Sequence, residues 1–185
     1  MTSFADLTAS PALATSIRLT DEAGIVVDES GCDVDDLVFC GAPEVRVPAG
    51  EPWAGVVDLA IERGWVGVEA LAALDGTVDD VTRANGAAHG QRVADSVSSV
   101  RTWDRSTDAQ RTFAAADCRF TDGDSALEET LDDGFARYVI LDVRFLFKQG
   151  DLTAPIRDEA LAAALGVDVG ARLPLAEVRD AARSG

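Results

Sequence analysis

The run from Tyr138 to Phe147 sets the first constraint on the fold. Val139, Leu141, Val143, Phe145 and Phe147 recur at every second position, so an extended chain carries them on one face of a strand, the longest in the sequence. A strand of that length needs partners to satisfy its backbone, and the chain offers several. Gly24 to Val27 and Leu37 to Cys40 are short apolar runs bounded by aspartate and glycine, and Glu44 to Val47 alternates. Val97 to Trp103 and Gln110 to Phe113 pair as a hairpin across Asp104 to Asp108.

Helical patterns lie between these strands. Pro52 opens a segment in which Trp53, Val56, Val57, Ala60 and Ile61 share a helical face, and Gly64 ends it. Val78 to Asn85 predicts a short helix with Asp79 and Asp80 in its first turn, where carboxylates suit the helix dipole. Pro155 to Leu165, stopped by Gly166, and Leu173 to Arg183 predict two more. The expected class is α+β, an antiparallel sheet with helices packed on it and no internal repeat. Residues 1–22 read as an N-terminal arm and 23–185 as a single domain.

Charge narrows the partners. The formal net charge is −17, spread along the whole length, which makes nucleic acid and anionic membranes poor partners. The N-terminus lacks a basic and apolar leader, and no apolar run reaches membrane length, so a cytoplasmic protein is expected. Cys32, Cys40 and Cys118 are expected as reduced thiols, and none has zinc-ligand spacing with another cysteine or with His89, so no metal is expected.

Several motifs recur in a familiar order. Leu74-Asp75-Gly76-Thr77-Val78-Asp79-Asp80, then Asn85 and Ala88-His89-Gly90-Gln91, resembles the I-P-G-S-V-G-A-A-P-x-Q-N-x-G-A-Y-G-Q-E segment of the bacterial UDP-N-acetylenolpyruvoylglucosamine reductases, flavoenzymes of cell-wall precursor synthesis. Val45 to Trp53, Gly64 to Leu71, Val93 to Val97, Ala116 to Phe120 and Tyr138 to Val143 extend the resemblance over residues 44–183. It implies the second lobe of that family's flavin-binding domain. In the family, glycines of the first loop let backbone N–H groups close on the FAD pyrophosphate.

The departures are chemical. Asp75 stands for the family's proline, Asp79 for its second glycine and Asp80 for the next small residue; carboxylates near a phosphate cost several kcal/mol each. The family's arginine in G-Y-R-D-S aligns with Gly123, its G-G-G-S-N phosphate loop is absent, and the substrate domain with the proton-donating serine and C-terminal glutamate lies beyond the match. The resemblance therefore implies a truncated, degenerate relative without the reductase reaction and without a cofactor, FAD being disfavoured.

His89, in place of the family's tyrosine, is the one histidine and the one side chain that titrates near neutrality unaided. It is a candidate acid or base, with Asp79 and Asp80 as catalytic partners, or else a surface or capping residue. Asp75, Arg83, Asn85, Gln91 and Arg119 are the candidate ligand-binding residues, the two arginines serving either as counter-charges to a ligand or as salt bridges within the fold. An acidified pocket prefers a cation, so the expected ligand is an amine-bearing small metabolite. Non-redox elimination or ring closure in bacterial specialised metabolism is the expected chemistry, on a homodimer or with a dedicated protein partner. The alternatives are a non-catalytic partner-binding subunit and a flavin reductase with a rearranged site.

Overall fold

A computed structural model describes residues 24–28 and 42–184. The expected arm, the strand at Leu37 to Cys40, and Cys32 and Cys40 lie outside the described residues.

Five strands form the central sheet: β1 (Val26–Asp28), β2 (Glu44–Pro48), β6 (Val97–Asp104), β7 (Ala109–Ala114) and β8 (Tyr138–Leu146). They pair in the order β1-β2-β8-β6-β7, every pair antiparallel. Two small ladders accompany it: β3 (Trp65–Val66) with β9 (Lys148–Gln149), and β4 (Ala87–Ala88) with β5 (Gln91–Arg92). The helices are α1 (Trp53–Glu62), α2 (Val78–Arg83), α3 (Glu159–Leu165) and α4 (Leu175–Ser184). The class is α+β, as the alternation and helical spacing lead one to expect.

Helix α1 follows its sequence signals. Pro52 sits extended at the N-cap, Trp53, Val56, Val57 and Ala60 are buried, and Gly64 takes a φ of +67° after the last turn. The Trp53 indole donates to the Leu71 carbonyl at 2.9 Å, which satisfies its one polar atom inside the core. Its ring meets Phe145 at 6.0 Å; Phe145 stacks on Phe147 at 5.6 Å, and Phe147 on Trp65 at 5.3 Å. This aromatic row joins α1 and β3 to the centre of the sheet.

The expected single face of the long strand is corrected by a bulge. Arg101 pairs with Asp142 but Thr102 pairs with Ile140, leaving Leu141 as an extra residue on β8. One extra residue reverses the alternation. Tyr138 and Ile140 therefore join Val143, Phe145 and Phe147 in the main core, while Leu141 is only half-buried.

Helix α3 is also shorter than expected. It begins at Glu159, and Asp158 is its N-cap, accepting from the Leu161 amide at 2.7 Å. The preceding Ile156 packs with Ala70, Leu161, Ala162 and Val178 in a second, smaller core cluster. That cluster ties α3 and α4 to the 3₁₀ turn Ala70–Ala73. None of the described helices is long and apolar enough to cross a membrane.

Candidate functional site

A cleft of about 440 Å³ opens where the α3–α4 unit meets the sheet, walled by Val66, Gly67, Glu69 and Ala70, by the tip of the β4–β5 hairpin at His89 to Gln91, and by Ser96, Lys148 and Thr153 to Arg157. His89 stands at its edge because of the hairpin turn. His89 and Gly90 both have positive φ, +48° and +81°, which is the mark of a two-residue type I′ turn, and histidine is among the non-glycine residues that tolerate that region.

The ring's partner is Asp158. His89 Nδ1 lies 3.2 Å from Asp158 Oδ1, the same oxygen that caps α3. The Leu161 amide first, and the His89 ring second, hold the Asp158 carboxyl below the usual carboxylate range. Because the folded state lowers this pKa, the stabilisation is full above the ordinary value and is lost as pH falls through the folded-state value. An ionised Asp158 accepts from Nδ1–H and leaves Nε2 free to accept a proton.

Glu69 is the second unusual group. Its side chain is fully buried in the cleft wall; Oε2 accepts from the Gly67 amide at 2.7 Å, while Oε1 has no partner. A buried carboxylate oxygen without a donor is costly, and a donor from a ligand would satisfy it. Gln91, also lining the cleft, accepts from the Ala70 amide at 2.8 Å through Oε1.

The structure does not bring the remaining candidates to this cleft. Asp79 pairs with Arg83 along α2, at 2.9 Å and 3.3 Å. Arg83 also donates to the Leu127 carbonyl and, at 3.1 Å, to that of Tyr138. Asp80 closes a capping box, accepting from the Thr77 amide at 2.8 Å and from its hydroxyl at 2.7 Å. Asn85 is buried between the Thr121 carbonyl, 2.7 Å, and the Ala94 amide, 3.1 Å. Asp75 is exposed, and Arg119 lines a different concavity. Among the described residues no acidic, histidine and cysteine cluster could hold a metal, and Cys118 is a buried free thiol whose pKa burial pushes up to about 11.

Asp158 and Glu69 escaped the sequence reading. Asp158 carries an N-cap signature ahead of an alanine-rich helix, but a helix begun at Pro155 hides it. Glu69 had a signal too: it is the single charge between Trp65 and Leu74.

Fold and cleft define the class first: an antiparallel α+β domain with a polar cleft between its sheet and a C-terminal helix pair. The relationship within that class is to the UDP-N-acetylenolpyruvoylglucosamine reductases. The enzyme of that name from Cutibacterium acnes is 40% identical over 145 residues, 78% of this chain and 38% of its own length. That from Thermobifida fusca is 39% identical over 177 residues, 92% of this chain and 47% of its own length. A crystal structure of the Thermus caldophilus reductase is 21% identical, covering 56% of this chain and 36% of that one, with a TM-score of 0.48. No family model matches. The chain is thus a relative of these reductases over most of its length, and it spans less than half of theirs.

This relationship corrects the expectation of no cofactor. The relatives are named as reductases of the family that the chain resembles, and that resemblance implies FAD as the group. The charge argument against it loses one of its three acids, since Asp79 is met by Arg83, while Asp80 accepts from the neutral Thr77 amide and hydroxyl and Asp75 is exposed. What does not fit a diphosphate is the backbone of that loop. The amides of Thr77, Val78, Asp79 and Asp80 donate to Asp80 Oδ2, Glu51 O, Ala49 O and Thr77 Oγ1. No amide of residues 77–80 is left for a phosphate oxygen.

Proposed function

We propose that this reductase relative binds an amine-bearing small molecule in the cleft between the sheet and α3–α4 and moves a proton on it. The supporting observation is the His89–Asp158 pair, 3.2 Å apart at the cleft edge. Asp158 orients the imidazole, His89 Nε2 acts as base and then as acid, and Glu69 Oε1 accepts from the amine. Positioned proton transfer of this kind suits an elimination or ring closure. Reduction of an enolpyruvyl sugar nucleotide is not expected, because the position aligned with the family's arginine is Gly123, an exposed turn residue with a φ of +77°.

The single histidine gives a direct test. Spermidine, arginine and glucosamine, added separately, are the probes, and at least one should shift the His89 ring protons saturably in NMR spectra. Glu69→Gln should leave the fold intact and weaken that binding about tenfold, the effect of losing one charge-assisted hydrogen bond. Absence of a saturable shift with all three, or equal binding by Glu69→Gln, counts against the assignment.

A second reading, that the chain supplies part of a flavin cleft, has support in the sequence relationship itself. Isoalloxazine absorbance in the purified protein tests it separately.

A further inference from the structure

The second concavity, about 400 Å³, lies between β7, the 3₁₀ turn Ala115–Cys118 and the start of β8. We propose that it is a binding site for an oxyanion, the phosphate or carboxylate group of a small metabolite, held by Arg111 and Arg119.

The chain has 33 acidic and 16 basic residues, so arginines that converge on one hollow without acquiring a carboxylate are informative. Arg137, the third arginine of the wall, is already committed. It donates to both oxygens of Asp104 at 3.0 Å and 2.8 Å and to Glu129 at 2.8 Å. Arg111 differs. Its guanidinium lies 4.3 Å over the Phe113 ring and 5.7 Å from that of Tyr138, and one nitrogen donates to the Tyr138 hydroxyl at 3.2 Å. That neutral contact uses one of five donors and fixes the plane of the fork.

Arg119 has no hydrogen bond or ion pair among the described residues, and its side chain is exposed at the hollow. Its backbone adds a second observation. Arg119 sits at φ +48°, ψ +46°, in the left-handed region, where glycine is the low-energy choice and a long side chain carries strain. The fold therefore holds an unneutralised cation at a position its backbone favours for glycine. Of the two acids of the wall, Glu129 accepts from Arg137 at 2.8 Å and from the Tyr138 hydroxyl at 3.5 Å, and Asp117 is the other; neither is paired with Arg111 or Arg119. Counted with Asp104, the three arginines at the hollow meet three carboxylates, so it is locally near neutral in a protein of net charge −17. Paired guanidinium forks match the oxygens of phosphate and carboxylate.

Tyr138 is the single tyrosine, and its hydroxyl touches Arg111. The chain labelled with carbon-13 at the tyrosine Cζ is titrated with sodium phosphate, and separately with sodium succinate, against sodium chloride at equal ionic strength. The expected result is a saturable shift of the one resonance. Saturation by phosphate alone identifies a phosphate group, by succinate alone a carboxylate, and by both a general oxyanion site. Arg119→Gly should raise the midpoint at least about tenfold while raising Tm by roughly 2–4 °C through relief of backbone strain. Arg119→Gln, which keeps the backbone strain and removes the charge, should weaken binding equally. No saturable shift with either anion, or an unchanged midpoint in both variants, overturns the proposal.

Discussion

Trp53→Ala will lower the free energy of unfolding by about 3–5 kcal/mol, the range for emptying a large aromatic site in a packed core. Trp53 is completely buried and begins the aromatic row through Phe145, Phe147 and Trp65. Its removal takes away contacts to Phe145 and leaves the Leu71 carbonyl without the indole donor at 2.9 Å. Both losses act in the same direction. Urea denaturation of the two proteins measures the difference, and Trp53→Phe separates its parts: it retains most of the packing and loses the hydrogen bond. A cost below about 1 kcal/mol for the alanine variant would mean that α1 is held to the sheet by something other than this row.

Asp104→Ala should follow closely, with a loss of about 3 kcal/mol, the lower end of the range for breaking a buried ion pair, because the abandoned Arg137 can reach water. Asp104, 2% exposed, accepts from Arg137 on both oxygens and from the amide and hydroxyl of Ser106 on one. The Arg137 hydrogen bond is the main reason its carboxyl is held well below the usual carboxylate range. A depressed folded-state pKa means that stability is present above the ordinary aspartate pKa and declines as pH falls toward the lower, folded value. The acid limb of the unfolding curve should therefore flatten in Asp104→Ala. Equal slopes in variant and parent would remove Asp104 from that limb.

Local signals in the sequence were strong where one short stretch decided the outcome. Pro52, the spacing of Trp53 to Ala60 and Gly64 delimit α1 because cap, face and stop all lie within that segment. The hairpin of β6 and β7 was legible for the same reason. The parity of β8 was not, since the bulge at Leu141 exists only through pairing with β6, and no residue of β8 announces it. The cleft divides along this line. His89 stood out as the sole ionisable imidazole, but Asp158, 69 positions away in sequence, meets it only when α3 docks. Asp79 and Asp80 looked like site residues because they replace small residues of the related family, whereas their nearest cations and donors, Arg83 and Thr77, are three or four residues away and claim them first.

The single oxygen of Asp158 that both caps α3 and meets His89 makes the cleft and the helix start one mechanical unit. A molecule that draws His89 away leaves the whole oxygen to the Leu161 amide; one that competes for Asp158 loosens the first turn of α3 and, through Ile156 and Leu161, the small core that fastens the helix pair. The edge of the cleft and the start of the C-terminal helix pair thus hang on one carboxylate, and a change at Asp158 is felt at both places at once.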